Sequence, residues 1–413
     1  MTGEAAVATR DDRLFKVFVV FILLGTFFPY IKFLPLPTDT QPTALVGAAM
    51  FFCLFALRAA LPLSIWLLGA AFAWALCLFV ASGPSLDGIR SMLGYCSVFV
   101  IAVAGYLSVL RHGPINPRLI DFAIVVWFLV GAVEWATGSE FLPAITSGNR
   151  TTETRGFNSL APEPGFYGTM MVFFWLLLTV RGRQWSWQGV LCLVQTVLFA
   201  QSAMAVLCLL GLVVVDILFK TKVWGFVVVL VVCVTTILLL ESYAEAEADV
   251  RLIFIMNLIL QDPIGIILLD ESVNSRAAGI FFSVHGAINS YFMPSFFDTF
   301  PVYTTQTFWD YKDLFWYQTE HKRIQSGYGG ALYELGFFGL IFPVVTVLAV
   351  VRRGFCASIR VKAVLLCGLG FVMLMATPVA HPFFGLLLGY LLGYGRGGHD
   401  APGPAPAPQT HPA

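Results

Sequence analysis

The chain has 413 residues, 58% of them hydrophobic and only 12% charged, with a mean hydropathy of +0.82. That balance excludes a soluble globular protein. The formal charge is zero at pH 7, with 24 Lys and Arg against 24 Asp and Glu, but the zero conceals an uneven distribution along the chain.

Residues 1–14 are polar and read as a cytoplasmic N-terminal segment. Beyond them, apolar runs recur at the length needed to cross ~30 Å of hydrocarbon. They lie near 15–33, 43–58, 62–82, 92–110, 119–137, 165–180, 187–201, 203–219, 223–240, 328–350, 362–377 and 379–395. The expected fold is therefore all-α: a polytopic integral membrane protein with about 12 transmembrane helices in a single domain over 15–395. Only Gln201 and Ser202 divide 187–201 from 203–219, so this pair is either a tight hairpin or one long bent span. The first apolar run is followed by IKFLPLPTDT, with no small-residue cleavage site, and no cleavable signal peptide is expected. The tail 396–413 is rich in Pro, Ala and Gly without periodicity and reads as a disordered cytoplasmic segment.

Charge sets the expected orientation. With the N-terminus inside, the inner segments carry 15 of the 24 Lys and Arg, mostly in short turns where the positive-inside bias counts. Two outer loops stand out, at about 138–164 and 241–327. The second holds eleven acids against five bases. Its length alone argues for function. Its apolar stretches, RLIFIMNLILQDPIGIILLD and RAAGIFFSVHGAINSYFMPSFF, are interrupted by Asp262-Pro263 and Gly286, and read as short interfacial or re-entrant helices. Trp309, Tyr311, Trp316 and Tyr317 suit either a belt at the lipid–water boundary or stacking on sugar rings. The eight cysteines lie outside these loops and form no CxxC, so neither a disulfide framework nor a zinc site is expected.

Chemistry concentrates in three places. In TTETRGFNSLAPEPGFYG (151–168), Arg155 precedes Glu163, which stands between Pro162 and Pro164 at the mouth of a span. Glu163 there is a helix cap, a salt-bridge partner of Arg155 or a catalytic acid–base group. In ESVNSRAAGIFF, Arg276 opens an apolar stretch, with snorkelling to the surface as its structural alternative. Two arginines brought to one membrane face by separate loops can hold a pyrophosphate through bidentate, charge-assisted hydrogen bonds. Arg150, Arg251, Lys322 and Arg323 are alternates. In IQSGYGGALYELGFFGLIF (324–342), Glu334 falls about two turns into the membrane and needs a partner or a wet cavity. His285, His321 and His381 map to the outer side, and none has metal-ligand spacing. No cofactor and no metal are expected.

These residues resemble the bacterial polysaccharide polymerase and O-antigen ligase superfamily. The likeness covers the layout of nearly the whole chain and is sharpest at RGFNSLAPEPGFYG, NSRAAGIFF and SGYGGALYELGFFGL. In ligase-like members a histidine stands nine residues before the Glu of the last element. Gln325 occupies that position here, which favours the polymerase branch unless His321 substitutes. The resemblance implies a metal-independent, inverting glycosyltransferase of the bacterial inner membrane. Its donor and acceptor would be undecaprenyl-diphosphate-linked oligosaccharides. Its other partners would be membrane lipid and a chain-length regulator, with no nucleic acid. Arg155 and Arg276 would hold the donor diphosphate, and Glu163, Glu334 or His321 would assist the acceptor hydroxyl. Ligase-type transfer to lipid A core or protein is the alternative within the family. A transporter of lipid-linked oligosaccharides is the alternative outside it.

Overall fold

A computed structural model describes residues 2–33, 38–57, 59–146, 156–221, 265–269, 271–315, 324–352, 354–355 and 357–394. Among these the chain is helical throughout and contains no strand. One isolated antiparallel bridge, Ile31 to Thr146, ties two connecting segments together.

The helices are α1 (Thr2–Phe27), α2 (Thr43–Phe51), α3 (Leu63–Ser82), α4 (Leu86–His112), α5 (Pro117–Thr137), α6 (Leu142–Ile145), α7 (Pro164–Val180), α8 (Trp187–Val194) and α9 (Ala203–Thr221). Then follow α10 (Gly265–Leu269), α11 (Glu271–Asn289), α12 (Phe300–Thr307), α13 (Gly327–Leu335), α14 (Ile341–Val351), α15 (Ile359–Met375) and α16 (Pro382–Gly393). Helix α2 runs on as a π turn over Phe52–Ala56, and α8 over Gln195–Ala200. A 3-10 segment, Gly336–Leu340, joins α13 to α14.

Local chemistry sets these limits. Ser85 caps α4 by accepting from the Gly88 amide at 2.9 Å, and Ser326 caps α13 by accepting from Gly329 at 3.0 Å. Proline opens α5, α7 and α16, where its missing N–H costs nothing. Gln201 adopts a left-handed conformation (φ 45°) and ends the α8 segment. Trp185, just before α8, donates to Asp216 near the end of α9 at 2.7 Å. The 187–219 region is therefore an antiparallel hairpin, the first of the two forms the sequence allowed.

Among the described residues, five helical segments are long and apolar enough to cross a membrane: Leu63–Ser82, Leu86–His112, Pro117–Thr137, Ala203–Lys220 and Gly327–Val351. Four further apolar helices, Thr43–Ala56, Pro164–Val180, Trp187–Ala200 and Pro382–Gly393, are shorter. Twelve crossings would require these to span as well, together with α1, α15 and the run 223–240, the last of which lies outside the described residues.

Helices α7 and α16 form the centre. Every residue of α16 is buried, as is nearly all of α7. Helix α16 lies so close to α4 that a Cβ on Gly389 would collide with the Ala102 carbonyl. Close backbone approach of this kind drives helix association where lipid removes the usual apolar driving force.

The two ends of the bundle differ in charge. One end gathers the basic turns. There Asp12 meets Arg111 at 3.5 Å, Arg183 meets Asp121 at 3.3 Å, Arg360 meets the buried Asp216 at 2.6 Å, and Arg352 donates to the Tyr394 carbonyl at 2.6 Å. The opposite end carries the segments after α1, α3, α5 and α15 together with α11 and α12.

One expectation is corrected. Gly286 does not interrupt its segment: α11 continues through it to Asn289. The glycine makes room for a neighbouring element, because a Cβ there would stand 2.6 Å from the Tyr333 ring and 3.0 Å from the Tyr303 ring. The break comes instead at 290–299, where Tyr291, Phe292, Phe296 and Asp298 all take positive φ.

Candidate functional site

Glu163 is the residue before α7. Its extended backbone (φ −153°, ψ 156°) and the proline after it start the helix, yet its side chain makes no capping bond. The carboxylate turns to the open side of Gly165, in the first turn. Arg276, in the second turn of α11, reaches the same place. Its Nη2 lies 2.7 Å from the point where a Cβ on Gly165 would stand, and Glu163 Oε1 lies 3.5 Å from that point. Two loops more than a hundred residues apart thus meet at one helix N-terminus, where the backbone dipole favours negative charge.

Aromatic and polar groups support this corner. Tyr30, after α1, lies within electrostatic reach of the Glu163 and Asp39 carboxylates. Its hydroxyl is 3.1 Å from His381 Nε2 and its ring stacks on Phe166 with centroids 5.6 Å apart. His381 accepts from the Phe383 amide at 3.3 Å through Nδ1, capping α16, and stacks on Phe173 at 5.1 Å. It is thus a buried cap.

The loop leading to Glu163 is held by a residue the sequence did not single out. Glu134, in α5, is 2% exposed. Its carboxylate accepts from the Asn158 amide at 2.9 and 3.1 Å and from the Ser159 amide at 2.6 Å. Ser159 (φ 50°) also donates through its hydroxyl to the Trp127 carbonyl at 2.7 Å. A lone acid in an apolar run, VVWFLVGAVEWA (125–136), was the available signal. Gly156 packs against the Ala200 carbonyl, and the Phe157 amide donates to Phe199 at 2.7 Å.

Arg155 and His321 lie outside the described residues, as do Arg150, Arg251, Lys322 and Arg323. Glu334 is described, and its partner is a pair of hydroxyls on α4: Ser91 donates at 3.0 Å and Tyr95 at 2.6 Å. Helix α13 runs along α11, with Gln325 beside Gly279, Gly329 beside Ser283 and Tyr333 beside Gly286. Arg276 is one turn from Gly279, so the stretch next to Glu334 lies about 15 Å further along α11. The structure joins Arg276 with Glu163 and leaves Glu334 apart. Glu334→Gln, which can still pair with both rotatable hydroxyls, is expected to retain most activity. Glu334→Leu is expected to lose about 1–3 kcal/mol per orphaned group in a thermal unfolding assay in detergent.

Farther along α11, His285 stacks on Phe281 at 5.4 Å, and Nδ1 meets the Tyr303 hydroxyl at 2.6 Å. Burial raises the pKa of that hydroxyl. The His285 Nε2 lies 3.3 Å from the Tyr311 hydroxyl.

No family model matches this chain, and a search of the curated proteins finds no match either.

Proposed function

We propose that this protein is a membrane-embedded, metal-independent glycosyltransferase that polymerises a surface polysaccharide or exopolysaccharide. In this reading it crosses the bacterial inner membrane about twelve times. The basic end faces the cytoplasm, as the positive-inside bias requires. The growing glycan passes from undecaprenyl diphosphate to the non-reducing end of a new lipid-linked repeat unit at the periplasmic end.

One observation supports the reading above the rest: the Arg276 guanidinium and the Glu163 carboxylate share the N-terminus of α7 beside Gly165. The charges explain why two arginines are needed. Arg276 and Glu163 offset one another, leaving roughly half a positive charge from the helix end. A diphosphate leaving group carries at least two negative charges. A second arginine, Arg155, restores the excess and stabilises the charge that develops as the glycosidic bond breaks. Glu163 then stands next to the reacting centre and is the group placed to take the proton of the acceptor hydroxyl. Gln325, in place of a ligase-type histidine, lies one turn of α11 from Arg276 and keeps the polymerase reading ahead of the ligase.

Purified protein given a lipid-linked repeat unit tests the proposal. Polymer is expected to form at an unchanged rate in EDTA. Loss of product that returns with added Mg²⁺ or Mn²⁺ would overturn the arginine-based mechanism. Sidedness has its own test. Cysteine placed at Ser275 or Glu140, in a background without native cysteines, is expected to react with an impermeant thiol reagent in intact cells. Labelling only after lysis would reverse the orientation and remove the site from the periplasm.

A further inference from the structure

Beside the α3–α4 turn lies a cleft of about 540 Å³, walled by Ser82–Ser85 on one side and by 295–306 and Tyr333 on the other. It is built on a constrained loop. Tyr291, Phe292, Phe296 and Asp298 take φ values of 53°, 59°, 63° and 64°, which non-glycine residues adopt at a cost. Contacts to α13 and the segment after it hold them there: the Ser295 amide donates to the Tyr333 carbonyl at 3.0 Å and the Phe337 amide to the Phe292 carbonyl at 2.9 Å. The Ser85 hydroxyl bonds to the Asp298 carboxylate across the cleft mouth.

The lining selects among ligands. Tyr303 offers a ring, backed by the buried Tyr333, while Ser295, Thr299, Gln306 and Asp298 offer hydroxyl, amide and carboxylate groups. Among the described residues no Lys or Arg lines the cleft, and an acid does, so a phosphate or an anionic headgroup is disfavoured. A ring set among neutral hydrogen-bonding groups and one carboxylate suits a saccharide, whose C–H faces pack on aromatics while its hydroxyls bond at the edge.

Position adds a second argument. Helix α11 carries Arg276 near one end and Gly286 near the other, where Tyr303 and Tyr333 close over the glycine. The two points are about 15 Å apart along the helix axis, a length that a few sugar rings span. We propose that this cleft is a glycan-binding subsite that holds sugar units distal to the diphosphate, with α11 as the ruler between them. The proposal rests on the lipid-diphosphate reading above, and its test separates the two.

The probes are the water-soluble glycan released by mild acid from the producing cells' lipid-linked pool, labelled at its reducing end, and a fluorescent polyprenyl diphosphate without sugar. Both are titrated into the full-length protein in detergent and followed by anisotropy. Val302→Trp fills the cleft from an exposed position, and Gln306→Ala removes an exposed amide. Each is expected to weaken glycan binding, Val302→Trp by at least about tenfold, with diphosphate binding unchanged. Arg276→Ala is expected to do the reverse. Glycan binding equal in wild type and both cleft variants, or absent while the diphosphate binds, overturns the cleft and leaves the diphosphate site standing. Glycan binding that follows the cleft variants without any diphosphate binding upholds the cleft and overturns the proposed donor. Binding of neither probe to wild type overturns both.

Discussion

Replacing Arg276 by lysine is expected to cut glycan transfer about 10²–10³-fold while the protein still inserts and accumulates. The figure is ~2.7–4 kcal/mol, the cost of removing one preorganised donor from a developing oxyanion. Lysine keeps the charge but loses the planar fork that holds two phosphate oxygens at once. Geometry sharpens the expectation. Arg276 reaches its place only because Gly165 has no side chain: a methyl there would sit 2.7 Å from Nη2. Gly165→Ala is therefore expected to reproduce part of the loss without touching any charge. Arg155→Lys should resemble Arg276→Lys. The double variant should lose less than the product of the two, since both act on one leaving group. Polymer length and turnover in a deletion strain measure this. Wild-type chain length from Arg276→Ala at equal protein level would end the paired-arginine mechanism.

The second large effect is expected at Glu134, which touches no substrate in this mechanism. Glu134→Leu leaves the buried amides of Asn158 and Ser159 without their acceptor, at about 1–3 kcal/mol each. The loop that ends in Glu163 then loses its anchor. A displacement of about 1 Å at the reacting groups is enough to cost roughly 10²-fold in rate. Glu134→Gln separates charge from shape. Its single carbonyl oxygen can take the place of Oε2 and receive both amides, so it should keep much more activity than leucine. Equal stability and rate in wild type and Glu134→Leu would show that the loop holds its position by other means.

The helices were legible because lipid enforces them: a chain that cannot leave amides unpaired in hydrocarbon writes long apolar runs, and Ser85, Asn116 and Ser326 mark their starts. Arg276 and Glu163 were legible as charges beside apolar runs, but the pairing read there was of Arg276 with Arg155, and the meeting of Arg276 with Glu163 comes from the structure alone. What joins them was not. Gly165 carried no reading of its own, and its use as a seat for a guanidinium depends on α11, more than a hundred residues away. Gly286 misled for the same reason. A glycine in an apolar run reads as a break, but here it receives two tyrosine rings from other segments, which no local pattern records. Glu134 stayed hidden because its partners are backbone amides, and backbone amides have no signature in a sequence.

The two central helices are also short. Helix α16 has 12 residues and α7 has 17, about 18 and 26 Å of rise, against ~30 Å of hydrocarbon. Neither offers a face to lipid. Helices α3 and α5 do, through Leu63, Trp66 and Val80, and through Phe122 and Trp135. Hydrophobic mismatch therefore acts on the periphery. A thicker or thinner bilayer tilts or strains α3 and α5 rather than α7 and α16, and it reaches Glu163 through α5, whose Glu134 holds the loop before α7. Membrane thickness is therefore expected to act on the proposed anion corner through α5 and not through the two central helices themselves.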